Sequence, residues 1–186
     1  MQEMTPKRRY NEIIELLQSG SDGEAEQLCR QAVDDNGDVN FIALLGTILA
    51  RRDNLQEAES HLRRAVQIAP AYPKANEELG SVLLNRGKPE EAIPFLRKAT
   101  ELSPSSADCF FKLGGALKLA GDNVGAAAAF AQSQRLSPSK AKLEEASRLF
   151  AAKKFREAEK IAQELILENP RDVNAALLLS KIAMDA

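Results

Sequence analysis

The chain has 186 residues, with 25 Lys and Arg against 27 Asp and Glu, one histidine, two cysteines, no tryptophan and only 5% aromatic residues. A net charge of −2 with so few rings excludes the basic, ring-studded face of a nucleic-acid binder, and His61 alone supports neither a histidine-based catalytic centre nor a His-rich metal site. No apolar run approaches the length of about 18 residues that a membrane span needs, and Met1–Glu12 lacks the apolar core of a secretory signal, so a cytoplasmic protein is expected.

A period governs the chain from end to end. Ala25, Ala58, Ala92, Ala126 and Ala158 follow one another at intervals of 33, 34, 34 and 32 residues. Twelve residues after each stands a helix breaker: Gly37, Pro70, Pro104, Pro138 and Pro170. Twelve before stand Ile13, Gly46, Gly80, Gly114 and Ala146, and nine before stand Leu16, Leu49, Leu83, Leu117 and Leu149. Such a period is the mark of a repeat architecture, in which no unit buries its apolar faces alone.

Each unit reads as two helices. In the first, Ser21 with Glu24 makes a capping pair for the second helix. In the second, Ile42, Leu45, Gly46 and Leu49 recur at helical spacing, Arg52-Asp53-Asn54 forms a polar turn, and Asn54 with Glu57 caps a helix whose stripe is Ala58, Leu62 and Ala65. In the third, Pro89 suits a first helical turn, while Pro94 removes a backbone hydrogen bond and predicts a slight kink. Gly121-Asp122 supplies the turn of the fourth unit. No segment alternates as a strand does. Gly46, Gly80 and Gly114 leave room for a facing side chain, and Leu62, Leu96 and Phe130 stand where they fill it, with Cys29 and Ala162 at the equivalent places of the outer units. The boundaries expected are repeats at about 6–38, 39–72, 73–106, 107–138 and 139–172, then a terminal helix over 173–186 capped by Asp172, forming a single array.

This pattern resembles the tetratricopeptide repeat (TPR), a 34-residue helix–turn–helix unit. The second unit carries Leu45-Gly46, Leu49, Ala58, Leu62, Ala65 and Pro70; the third Leu79-Gly80, Leu83, Ala92, Leu96, Ala99 and Pro104; the fourth Phe110, Leu113-Gly114, Leu117, Ala126, Phe130 and Pro138, with Ser133 replacing an alanine. The outer units have Glu12-Ile13 and Glu145-Ala146 in place of Leu-Gly. The resemblance implies an all-α fold, a right-handed superhelical α-solenoid, and a non-catalytic module that binds a peptide or protein segment in a concave groove lined by the first helices.

By phase, the groove positions include Tyr10, Ile14, Leu17 and Gln18; Ala43, Thr47, Ala50 and Arg51; Glu77, Ser81, Leu84 and Asn85; Phe111, Gly115, Lys118 and Leu119; and Leu143, Ser147, Phe150 and Ala151. The candidate groove site is Tyr10, Asn40, Thr47, Arg51, Glu77, Ser81, Asn85, Phe111 and Lys118, with Tyr10 and Phe111 as aromatic anchors. TPR domains that grip chaperone tails use Lys and Asn on successive first-helix turns. The pairs Tyr10/Ile14, Ala43/Thr47, Glu77/Ser81 and Phe111/Gly115 supply no such clamp.

No catalytic, cofactor or metal site is expected. Gly87-Lys88 lacks the glycine spacing of a phosphate loop, and Asp34–Asn40 misplaces the glycine and glutamate of a calcium loop. His61 reads as a surface residue, and Cys109 as partly exposed. Residues 1–38 carry a net charge of −5, which reads as a solvated end. Two other readings stay open. The chain is the repeat portion of a larger bacterial enzyme such as a TPR-containing sulfotransferase, or it forms a homodimer through the terminal helix, whose apolar face is Leu177, Leu178 and Ile182.

Overall fold

The computed structural model describes residues 5–185, apart from the side chain of Asn36. The described residues are helical with no strand. The helices are α1 (Pro6–Gln18), α2 (Asp22–Asn36), α3 (Val39–Arg51), α4 (Leu55–Ile68), α5 (Pro73–Asn85), α6 (Pro89–Leu102), α7 (Ala107–Leu119), α8 (Asn123–Leu136), α9 (Pro138–Ala151), α10 (Phe155–Glu168) and α11 (Val173–Asp185). They fall into two compact units, residues 1–130 and 131–186.

Within the first unit each helix packs on the next from α1 through α7, and the first helices also meet one another, α3 against α5 and α5 against α7. The glycine pairing expected from the period is present. A Cβ on Gly46 would stand 2.6 Å from Leu62 Cγ, and one on Gly114 would stand 2.7 Å from the Phe130 ring. A Cβ on Gly80 would overlap Leu96 still more closely. These glycines let two backbones approach so that one side chain, fully buried at Leu62 and Leu96 and half-buried at Phe130, fills the gap. The core is concentrated here: Phe41, Ile42, Leu45, Ile48, Leu49, Leu62, Leu79, Leu83 and Leu96 are all fully buried. In the second unit α9, α10 and α11 pack mutually around a smaller core of Ala146, Ala158, Ala162, Leu178 and Ile182.

The turn between paired helices uses the left-handed region at the same place each time. Gly20, Gly87 and Gly121 have φ of 81°, 70° and 87°, while Asp53 and Lys153 adopt φ of 62° and 59° with a Cβ present. Two expected caps differ from the sequence reading. Ser21 and Asn54 precede α2 and α4, but neither side chain bonds to the helix backbone; the Asn54 amide donates instead to Glu57 Oε2 at 2.7 Å. Asp172 does cap α11, its Oδ1 accepting from the backbone N–H groups of Asn174 and Ala175. Helix α6 runs without a break through the exposed Pro94.

An ion-pair motif joins consecutive repeats. Arg30 Nε donates to Glu26 at 2.8 Å and its Nη1 to Glu57 at 2.6 Å, while Arg52 also pairs with Glu26. One repeat on, Arg63 Nε donates to Glu59 at 2.8 Å and its Nη2 to Glu91 at 2.5 Å, while Arg86 pairs with Glu59. Burial raises the carboxyl pKa of Glu59, but the hydrogen bonds from Arg63 and Arg86 outweigh it and hold the group below the ordinary glutamate value. The same balance holds for Glu26 between Arg30 and Arg52.

Candidate functional site

The first helices of unit 1 carry the candidate groove residues, and the structure sorts them by role. Thr47 is half-buried and its hydroxyl donates to the Ala43 carbonyl oxygen at 3.1 Å; Ser81 does the same to Glu77 at 2.9 Å. Both hydroxyls are turned back onto their own helices, so the floor there is low and small-featured. Ala43, phased to the groove, is buried, because α3 is covered on nearly all sides. Leu17 and Leu84 are half-buried and pack against the core.

At one side stands Tyr10, half-buried, its ring tilted 55° to Phe41 with centroids 6.1 Å apart. Tyr10 and Asn40 meet in a cleft of about 270 Å³ lined by Pro6, Lys7, Tyr10, Asp38, Asn40 and Phe41. The phenol of Tyr72, the chain's other tyrosine, titrates above its ordinary value because partial burial desolvates it and the charges of Tyr10 and Asp38 act on it. At the other side stands Phe111, 42% exposed and packed at 59° on Phe130 with centroids 5.5 Å apart. One turn on, Gly115 faces open space.

Charge on this face is paired. Glu77, on α5, reaches Lys112 of α7 at 2.5 Å and Lys74 at 3.4 Å. Sequence phase singled out Glu77 but missed Lys112, whose partner lies 35 residues away. Arg51 is exposed and pairs with Asp22 of α2 at 3.1 Å, so its head is drawn toward the second helix of the preceding pair. Asn85 and Lys118 are exposed.

Two residues set aside in the sequence are placed differently from expectation. His61 is half-buried rather than on the surface, 3.7 Å from Glu57; burial lowers its pKa. Cys109 is 2% exposed rather than partly open, because its place near the start of α7 turns inward. Cys29 is also buried, and burial pushes its thiol up to about 12. In the Asp34–Asn40 segment, Asp35 pairs with Arg9 and Asp38 Oδ1 accepts from Asn40. Among the described residues no three His, Cys, Asp or Glu side chains form a metal-holding group, and no helix is long and apolar enough to cross a membrane.

In the second unit α11 turns Leu178 and Ile182 into the core, so of the three residues phased to its open face only Leu177 is exposed. Val173, Leu177 and Met184 form the uncovered stripe, 67%, 55% and 85% exposed.

Two tetratricopeptide-repeat family profiles match the chain, over residues 10–76 and 49–109. No curated protein matches it. Among solved structures it is similar to TTC0263, a thermophilic TPR protein of Thermus thermophilus, at 16% identity and a TM-score of 0.75 over 97% of this chain and all of that one. It is also similar to MamA of Desulfovibrio magneticus, at 20% identity and a TM-score of 0.68 over 91% of this chain and 99% of that one. A third is YrrB, described as a TPR protein with an unusual peptide-binding site, at 18% identity and a TM-score of 0.65 over 94% and 92%. The profile matches, the paired helices in 34-residue register and the Gly–Leu seats agree: this chain belongs to the tetratricopeptide repeat family and has its all-α solenoid fold.

Proposed function

We propose that this chain is a non-catalytic interaction module of the cytoplasm that binds a peptide or protein segment along the first-helix face of the repeats, which form one array. The observation that carries this reading is the composition of that face in unit 1. A low floor at Thr47 and Ser81 lies between a half-buried Tyr10 and an exposed Phe111. Aromatic anchors beside a flat, hydrogen-bond-capable floor suit a segment laid across several helices. The peptide-binding description of YrrB agrees with it. The first helices offer no Lys/Asn clamp of the chaperone-tail type, so the ligand is held along its length rather than by a terminal carboxylate.

The test is affinity capture from lysate by the wild-type chain and by a Glu77→Arg/Phe111→Ala double mutant of unchanged helix content. A partner held by the first and lost by the second supports the groove. Equal capture by both contradicts it.

A second reading rests on the bare stripe of Val173, Leu177 and Met184: two copies associate through α11. Leu177→Glu, at an exposed position, abolishes concentration-dependent light scattering on that reading. A chain that stays monomeric at high concentration removes it.

A further inference from the structure

Among the described residues, four glycines stand past the first turn of a helix: Gly46, Gly80, Gly114 and Gly115. Three are explained from within the chain, because Leu62, Leu96 and Phe130 sit where a Cβ would go. Gly115 is different, since a Cβ there meets nothing within 4 Å. Glycine in a helix interior weakens the helix relative to alanine, and no packing inside this chain offsets that loss. The equivalent place on the earlier first helices is filled. Ile14 packs against the core, and Thr47 and Ser81 each turn a hydroxyl back onto their own helix. On α7 the backbone itself is the surface.

The residues one turn away from Gly115 are large. Phe111 lies four positions before it and Leu119 four after, 42% and 68% exposed. The Phe111 ring is already tilted on Phe130 with centroids 5.5 Å apart, an arrangement that a further ring extends at favourable geometry. A flat ring also lies closely on a helix backbone that has no Cβ, which a branched aliphatic group does less well. The notch is therefore suited to an aromatic side chain.

Charge indicates what accompanies that ring. Of the two cations phased to the groove, Arg51 pairs with Asp22, whereas no carboxylate among the described residues pairs with the exposed Lys118. Asp122, one turn beyond Lys118, is engaged elsewhere: its Oδ1 accepts from the Gly125 backbone N–H at 2.8 Å. Lys74 and Lys112 are held by Glu77 and Glu78, so they leave little net charge on α5 and α7. The uncompensated charge beside the notch is positive, and it fits a carboxylate from outside. In an extended segment, residues two apart face the same side at about 6.6 Å. Lys118 stands about 4.5 Å along the helix from Gly115, and its flexible stem makes up the difference.

We propose that the Gly115 notch is a subsite for an aromatic side chain of a bound peptide segment, with Lys118 taking a carboxylate two residues from that ring. This rests on the groove-binding reading above and names what the groove selects.

The probe is N-acetyl-Glu-Ala-Phe-Ala-Glu-amide, which presents a carboxylate on both sides of the ring, titrated into the 15N-labelled chain and followed by NMR. The backbone amides of Gly115 and Lys118 shift saturably. Gly115→Ala fills the notch with a methyl group and weakens binding about tenfold while the urea midpoint rises, so the lost binding is not lost folding. Lys118→Gln weakens binding about threefold at low ionic strength, the size of an exposed ion pair, and leaves the Gln-Ala-Phe-Ala-Gln counterpart unaffected. Binding that survives Gly115→Ala overturns the proposal, and so does a Lys118→Gln change that treats the two peptides alike. Saturable shifts confined to Tyr10, Thr47 and Ser81 overturn it and leave the groove reading standing. With no saturable shift anywhere the proposal falls as well, and the groove reading is then decided by the capture experiment alone.

Discussion

Gly80 and Gly115 both lie in first helices, and replacing each by alanine is expected to change stability in opposite directions. In a helix, alanine is favoured over glycine by about 1 kcal/mol, which is the gain available at either site. At Gly115 a new Cβ meets nothing within 4 Å, so the gain is realised in full and Gly115→Ala stabilises by about 1 kcal/mol. At Gly80 the new methyl falls on Leu96, 2.6 Å from Cδ2 and closer to Cγ. Leu96 is fully buried and its branch point cannot swing aside as a flexible tip does. Overpacking of this kind costs about 1–3 kcal/mol, so Gly80→Ala is destabilising by up to about 2 kcal/mol after the propensity gain. In a Leu96→Ala background the obstruction is gone and Gly80→Ala becomes stabilising, which makes the pair a double-mutant cycle with strong coupling. Urea denaturation followed by far-ultraviolet circular dichroism measures all of these. If Gly80→Ala stabilises the wild-type chain as much as Gly115→Ala does, the glycine is not there for close approach and the packing argument fails.

Further outcomes follow from other sites. Leu113→Ala removes a side chain 5% exposed on α7 and lowers unfolding free energy by about 2–5 kcal/mol in the same urea melts. Lys153→Gly relieves the left-handed φ of 59° and raises the stability of the second unit by about 1 kcal/mol, read from amide hydrogen exchange in α9 and α10. Glu59→Gln leaves Arg63, Arg86 and Lys88 without their common carboxylate and costs about 1–3 kcal/mol. Because the folded pKa of Glu59 lies below the ordinary 4.5, its contribution is fully present above about that pH and is lost as pH falls through the folded value; acid melts of wild type and Glu59→Gln should therefore converge at low pH. Cys29, buried with its thiol pushed up to about 12, resists alkylation by iodoacetamide at pH 8 until urea unfolds the chain; rapid native labelling contradicts the packing around α2.

The pairing of helices was legible because it rests on a local rule repeated at fixed distance. A glycine and a leucine 16 residues apart, Gly46 with Leu62 and Gly80 with Leu96, identify the seat before any coordinate is seen. Phase along a helix was less decisive for exposure. It set Ala43 in the groove, yet α3 is enclosed by its neighbours on nearly every face, and it set Leu178 on the open side of α11 although it packs inward beside Ile182. Capping was read from residue type, and Ser21 and Asn54 show that the right residue at the right place need not make the bond; the Asn54 amide is turned to Glu57 instead. The Arg–Glu ladder and the Glu77–Lys112 bridge were missed, since nothing in a linear sequence says which of many charges meets a partner a whole repeat away.

The central claim is that the first-helix face of unit 1 is where a partner lies. The most direct test is site-specific photo-crosslinking in lysate, with a photoreactive phenylalanine at Phe111 on that face and, separately, at Glu101, exposed on the second helix α6. The account predicts a discrete adduct from position 111 that disappears in the Glu77→Arg background, and none from position 101. A discrete adduct from 101 with none from 111 would put the partner on the second-helix face and contradict it.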